Sequence, residues 1–339
     1  MKLKPLSEQV AVVFGASSGI GRQTALDMAA RGAKVVAAAR GEAGLHSLVD
    51  EIQAAGGQAF YVVADAANHA QVQNVAQECI RRYGRIDTWV HAAGVILFAR
   101  FEDTTPEEFK QVMEINLLGQ IHGALAALPH LRQNGGALIH ISSVEAIRAA
   151  PLQAAYAASK HGISGFLEGL RAELIHEGAD VSVTEIMPAV INTPIWETGR
   201  NKTGKKVTGP LPPAYHPKVV ADAILYAAEN PVRDMVAGTA GLMVRYSERV
   251  SPALADYVSS WMGYRQLTDE PADPDARDNL FKPLAGGKIE GNLEGWKMDF
   301  DFFTWIRTRS PGAKAAAGAA GLAGVLAVLG LMRRRAGSR

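Results

Sequence analysis

A single cysteine, Cys79, in 339 residues excludes an internal disulfide and a thiolate zinc cage. The nine histidines fall into no H-E-x-x-H or other ligand spacing, so metal catalysis is not expected. Charge of one sign is lacking too. Lysine and arginine number 35 against 34 acids, which leaves no field to gather nucleic acid onto the body. The opening M-K-L-K-P-L-S-E-Q has no apolar run, so a secretory signal is not expected and a cytoplasmic catalytic body is. No internal repeat is visible. What the chain does have is 48% apolar residues, an ordinary share for a folded protein and enough to exclude wholesale disorder.

The tail is a separate physical object. From Arg307 onward there are seven bases and no acid, leaving 28 bases against 34 acids in residues 1–306. Ala315 to Met332 is eighteen residues without a charge, ended by Arg333-Arg-Arg335. As a helix it would be about 27 Å long, barely enough to span hydrocarbon. Seven alanines and four glycines make it weakly hydrophobic. Membrane contact through 315–332, either spanning or lying at the interface, is expected over a flexible Ala/Gly tail. A spanning tail would carry three arginines across, against the charge bias of cytoplasmic loops.

Short apolar runs alternate with helical patterns. Val10–Phe14, Ala33–Ala39, Ala59–Ala64, Ile86–His91, Ala137–Ile141 and Val181–Ile186 read as strands. Ile20–Ala30, Leu45–Ile52 and Val72–Ile80 read as helices between them. Crossovers of about a dozen residues imply a Rossmann-type doubly wound parallel sheet covered on both faces. The expected division is a dinucleotide-binding catalytic domain over 1–250, an irregular extension packing on the body over 251–312, and the apolar tail with its basic end over 313–339. Within the extension, Thr268–Gly295 is rich in Asp, Pro and Gly and reads as irregular. The aromatic cluster Trp296, Phe300, Phe302, Phe303 and Trp305 is expected to strap it onto the body, a partner-binding motif being the alternative.

The first strand runs into Gly15-Ala-Ser-Ser-Gly19-Ile-Gly21 and a helix opens at once. Glycines permit a tight turn and close backbone approach, and the helix start supplies unpaired N–H groups and a positive dipole end suited to a pyrophosphate. Gly15, Ser17, Ser18, Gly19, Ile20 and Gly21 are therefore candidate cofactor contacts. The second strand ends Ala39-Arg40, where an NAD site usually places an acid. Ala39 has no acceptor and Arg40 offers a fork for a 2′-phosphate, so NADP is preferred and NAD is the alternative, with Glu42 near enough to serve it. Asp65, past the third strand, is a partner for an adenine amino group or else a helix cap.

Tyr156 and Lys160 are four apart and share a helix face. A free phenol titrates near pKa ~10, too high to exchange protons readily, and a nearby ammonium would lower it. Ser143 is placed to donate to a carbonyl oxygen while hydride moves.

Together these residues resemble the short-chain dehydrogenases/reductases. The resemblance rests on the Gly15–Gly21 turn, Asp65, His91-Ala-Ala-Gly94, Asn116, Ile141-Ser-Ser143, Tyr156-Ala-Ala-Ser-Lys160 and Pro188 through Thr193, in the family's order. Ser143 stands thirteen residues before Tyr156, as family members place it, and the likeness covers roughly residues 5–245. It implies that Tyr156 is the general acid/base, that Lys160 lowers its pKa and holds the nicotinamide ribose, and that Ser143 positions the substrate oxygen. It also implies a water relay behind Lys160 supported by Asn116, with Ala93 and Gly94 around the adenosine half. Pro188, Ile191 and Thr193 would line the nicotinamide side. Phe14, Ala92 and Ala189 depart from the family's threonine, asparagine and glycine. Only Ala189 bears on the chemistry, and only if its φ is positive. Beyond Thr193, Ile195 and Trp196 are candidates for an apolar lid, while Arg200, Lys202, Lys205 and Lys206 are candidates for an anionic substrate group or solvated charges.

The resulting expectation is an NAD(P)-dependent oxidoreductase interconverting an alcohol and a ketone or aldehyde, on an apolar small molecule, as a homodimer or homotetramer. A lyase or epimerase on the same scaffold, and a non-catalytic cofactor-sensing membrane scaffold, are the alternatives.

Overall fold

A computed structural model describes residues 1–208, 213–273 and 275–309. Seven strands make one sheet: β1 (Val10–Phe14), β2 (Lys34–Ala39), β3 (Gln58–Val63), β4 (Thr88–His91), β5 (Gly136–Ile141), β6 (Val181–Pro188) and β7 (Asp234–Ala237). Their spatial order is β7-β6-β5-β4-β1-β2-β3 and every pair is parallel. β1, β4, β5 and β6 are buried along their whole length, which is why they read as continuous apolar runs. The strand order reverses between β1 and β4, so their carboxyl ends splay the loops apart there and leave a crevice.

Helices α1 (Gly19–Ala30), α2 (Glu42–Ala54), α3 (His69–Tyr83), α4 (Pro106–Met113), α5 (Gly119–Asn134), α6 (Ala154–His176) and α7 (Pro217–Glu229) supply the crossovers. Met28, Leu45, Leu48 and Ile224, from α1, α2 and α7, close one face of the sheet. Val75, Leu131, Ile163 and Leu167, from α3, α5 and α6, close the other. β4 starts two residues later than the apolar run suggested. Asp87 is used differently: its carboxylate accepts from the Val10 amide at 2.9 Å and pairs with Lys4 at 2.8 Å. β7 was not expected, because Asp-Met-Val-Ala is too short and too polar at its start to stand out.

After β7 come α8 (Ala240–Val250) and α9 (Pro252–Gly263). The extension then turns back over the body. Leu267–Pro271 pairs antiparallel with Lys205–Val207, Lys297–Met298 pairs with Ala214–Tyr215, and α10 (Phe302–Arg307) ends the described chain. The attachment differs from the expected aromatic strap. Trp296, Phe300 and Phe302 are more than half exposed. The anchors are polar instead: the Asp301 carboxylate accepts from the Thr239 amide (2.9 Å) and hydroxyl (2.6 Å), and the Gly238 amide donates to Thr304 Oγ1 at 3.1 Å. Buried Leu280 and Leu293 add apolar contact. The tail, 313–339, lies outside the described residues. Among those described, no helix is long and apolar enough to cross a membrane.

Candidate active site

The crevice is floored by the turn between β1 and α1. Gly15 has φ +91°, and a Cβ there would lie 2.5 Å from the Ala93 nitrogen; on Gly21 it would lie 2.3 Å from the Gly15 oxygen. Backbone therefore packs on backbone, which only glycine permits. The amides of Ser17, Ser18, Ile20 and Gly21 have no acceptor among the described residues, whereas Gly19 donates to the Lys288 carbonyl at 2.9 Å. A row of free N–H groups at a helix start suits a pyrophosphate. Gly21→Val should raise the dissociation constant for a nicotinamide dinucleotide at least about 100-fold, since the turn must open by more than 1 Å to admit the side chain. Fluorescence titration checks this, and near-normal binding would exclude the turn as the cradle.

A cavity of about 490 Å³ rises from this turn. Gly15, Ser17, Ser18, Gly19, Ile20, Gly21, Arg40, Asp65, Ala93, Gly94 and Thr193 all line it. Arg40 Nη2 donates to the Asn279 carbonyl at 2.6 Å, while Nη1 is buried without a partner among the described residues. Burial lowers the guanidinium pKa from its usual value and the Asp65 carboxylate opposes this. Asp65 does not cap α3. Its carboxylate accepts from the Ala67 amide at 3.0 Å, and the cap is Asn68, which accepts from the Gln71 amide at 3.1 Å. Glu42 accepts from the Tyr61 hydroxyl at 3.2 Å and is not on the cavity wall.

The remaining candidates form a cluster beside the cavity. Asn116 sits in a π-helical turn, Glu114–Leu118, between α4 and α5. Such bulges are rare and re-aim side chains at functional sites. The Asn116 amide grips both backbone groups of Val95, accepting from its nitrogen at 2.8 Å and donating to its oxygen at 2.9 Å. Gly94 joins the two regions. It lines the cavity, and a Cβ on it would lie 3.5 Å from Asn116 Oδ1 and 3.8 Å from Lys160 Nζ. Tyr156 and Lys160 project from the first turns of α6, the lysine amine 5.3 Å from the tyrosine ring centroid.

The electrostatics depart from the expected lysine-acidified phenol. Lys160 Nζ donates to the Ile141 carbonyl at 3.0 Å. The Tyr156 pKa is pushed up, first by burial and then by Glu145, while a hydrogen bond from Ser143 pulls it down. Burial pulls Lys160 down to about 8 against the attraction of Glu185 and Glu145. Burial also pushes the Glu145 carboxyl up to about 8. The Ser143 hydroxyl accepts from the Glu145 amide at 3.1 Å, which ties the strand end to the short helical turn that follows.

Pro188 and Ile191 do not line the cavity. Ile191 is buried, bridged to Tyr215. Ala189 has no positive φ, so its departure from glycine leaves the loop unstrained. Trp196 donates from its indole nitrogen to the Ile191 carbonyl at 2.8 Å and stacks on Phe98. The four loop cations are spoken for: Arg200 and Lys202 pair with Glu108, Lys205 with Asp269, and Lys206 with Glu270 and Glu294. Nothing in that arrangement reserves them for an anionic substrate. Sequence reasoning missed Asn279, Pro283, Leu284, Ala285, Gly286 and Lys288, which line the cavity from the extension. A Pro/Gly-rich stretch gives no periodic signal, and 239 residues separate Arg40 from Asn279.

Comparison with known proteins gives one answer. The profile described as short chain dehydrogenase matches residues 9–204. An uncharacterized oxidoreductase, YxnA, of Bacillus subtilis is 37% identical over 319 residues, covering 93% of this chain and 89% of its own, so the similarity runs through the extension. An alcohol dehydrogenase from the archaeon Thermococcus sibiricus, solved with 5-hydroxy-NADP, superposes with a TM-score of 0.59 at 27% identity, over 67% of this chain and 95% of its own. A short chain dehydrogenase/reductase from Burkholderia phymatum, solved with NAD, shares the fold at 23% identity and a TM-score of 0.66, over 81% of this chain and 99% of its own. With its parallel seven-stranded sheet, glycine turn and matched profile, this chain belongs to the short-chain dehydrogenase/reductase family of oxidoreductases.

Proposed function

We propose that this protein is an NADP-dependent oxidoreductase that interconverts an alcohol and a ketone or aldehyde, with Tyr156 as general acid/base. The observation that carries this is the meeting, at Gly94, of the cavity above the glycine turn with the Asn116–Lys160 cluster. Glycines whose Cβ atoms would collide, free turn amides and an unpartnered Arg40 Nη1 fit a nicotinamide dinucleotide. When bound, the cofactor supplies or accepts the hydride.

The chain's own residues handle the proton. In reduction the substrate oxygen gains negative charge, and the Ser143 hydroxyl and Tyr156 phenol are the donors for it. A phenol held above its ordinary pKa rests protonated, ready to give its proton as that charge develops. In oxidation the Tyr156 phenol must first lose its proton, and the positive charge that an oxidised nicotinamide would bring to the site would favour that loss. With Asn116 held by Val95, Lys160 Nζ is anchored by the Ile141 carbonyl, 5.3 Å from the Tyr156 ring centroid. It can hold ribose hydroxyls and take part in returning the proton to solvent.

The test is turnover by the full chain with NADPH against a graded panel of ketones and aldehydes, read by nicotinamide absorbance. Oxidation of NADPH with one carbonyl class supports the proposal. A lyase or epimerase would transform substrate with no net absorbance change. Arg40→Ala separates the two cofactors: losing a charge-assisted contact costs about 1.5–3 kcal/mol, so NADPH should bind about 10- to 100-fold more weakly while NADH is nearly unchanged. Equal losses for both would remove Arg40 as the phosphate reader.

A further inference from the structure

Residues 279–291 of the extension lie over the glycine turn and are stitched to it. Gly19 donates to the Lys288 carbonyl at 2.9 Å, and the Gly287 amide donates to the Ser17 carbonyl at 2.8 Å. Two further glycines make this approach possible. A Cβ on Gly286 would lie 2.6 Å from the Ser17 oxygen, and one on Gly44 would lie 2.9 Å from Gly286 Cα. At the other end, the Asn279 amide donates to the Thr198 carbonyl at 2.9 Å and the Asn279 carbonyl accepts from Arg40 Nη2 at 2.6 Å.

The Asn279 side chain is oriented by its neighbour. Its Nδ2 donates to Thr198 Oγ1 at 3.1 Å, and that hydroxyl spends its own proton on the Pro194 carbonyl at 3.0 Å. Thr198 can therefore only accept, so the amide cannot be reversed without losing a bond. Asn279 Oδ1 is left buried with no partner among the described residues, as is Arg40 Nη1. Buried polar atoms without partners are uncommon. Here an acceptor and a donor are both orphaned on two touching residues of one cavity wall.

We propose that Asn279 is a cofactor-contacting, specificity-determining residue through which the extension closes the adenosine end of the dinucleotide site. Its Oδ1 accepts from a hydroxyl or amino hydrogen of the adenosine half. Its carbonyl holds one side of the Arg40 guanidinium and so leaves Nη1 for the 2′-phosphate. The proposal rests on the nicotinamide-dinucleotide reading above.

Two variants of the full chain test it, titrated with NADPH and NADH by fluorescence and checked for folding by thermal melting. Asn279→Asp is nearly isosteric and sets a carboxylate beside the phosphate position. It should weaken NADPH about 30-fold and NADH by less than about threefold, since like charges repel only in the first case. A purely structural Asn279 would move both cofactors equally or neither, and that result overturns the proposal. Gly286→Leu wedges the strap away from Ser17, and should speed release of both cofactors about tenfold while exposing 279–291 to protease. Unchanged release and an unchanged cleavage pattern would also overturn it. If the unaltered chain bound neither cofactor, the functional reading itself would fall; if it binds and turns over while both variants match it, only this proposal does.

Discussion

Tyr156→Phe is expected to lower kcat by about 1,000-fold while leaving the NADPH dissociation constant within about twofold. Positioned acid/base groups contribute about 10²–10⁴ in rate, and here the phenol is the proton donor assigned to the substrate oxygen. The ring itself stays, and with it the packing over which Lys160 Nζ sits at 5.3 Å. Only the hydroxyl and the hydrogen bond it accepts from Ser143 go. The variant should therefore fold, melt near the unaltered temperature and bind cofactor, yet fail in single-turnover hydride transfer. A Ser143→Ala partner should lose less, about 100-fold, because it removes one donor to a developing oxyanion and leaves the proton source. Full turnover by the phenylalanine variant would mean that the proton comes from elsewhere. Glu145, buried and held protonated near neutral pH by its raised pKa, would then be the group to examine.

How much of this was legible in the sequence depends on distance along the chain. The sheet was legible because a strand buried on both faces is written as an unbroken apolar run, as in Val10–Phe14 and Ala137–Ile141. The glycine turn was legible because its residues are contiguous and its chemistry is backbone chemistry. β7 was not, because a four-residue edge strand begins on Asp234, which pairs with Arg233 and Arg245. The extension was least legible. Its contacts use main-chain groups of Lys288, Gly287 and Asn279, which carry no side-chain signature, and its anchors are Asp301 and Thr304 rather than the aromatic cluster beside them. The phenol's environment was misjudged for a related reason. Four-residue spacing places Lys160 on the same helix face as Tyr156, but the carbonyl of Ile141, on another element, decides where the ammonium points.

That ammonium gives the second large effect, on stability rather than rate. Lys160 titrates at about 8 instead of 10.5 because burial penalises its charged form. A lysine with a depressed folded-state pKa destabilises the fold wherever it is charged in both states. The penalty is full below about pH 8 and fades as the pH rises toward 10.5. A shift of this size corresponds to about 3 kcal/mol, from which the lost hydrogen bond to the Ile141 carbonyl subtracts about 1 kcal/mol. Lys160→Met should therefore be more stable than the unaltered protein at pH 7 by about 2 kcal/mol, a rise of several degrees in Tm, while turnover falls at least about 100-fold. The carboxylates nearby do not reverse this at pH 7. Glu145 is held protonated by its pKa of about 8, and Glu185 keeps the Ser164 hydroxyl as a donor. Above pH 8 Lys160 sheds its proton in the unaltered protein, and the penalty falls. The stability gap should shrink steadily and close only near pH ~10, where the remaining penalty equals the lost hydrogen bond. Denaturant melts of both proteins from pH 6.5 to 10 measure it. A variant less stable at every pH would mean that the buried ammonium strengthens the fold, and that this lysine is kept for packing as much as for chemistry.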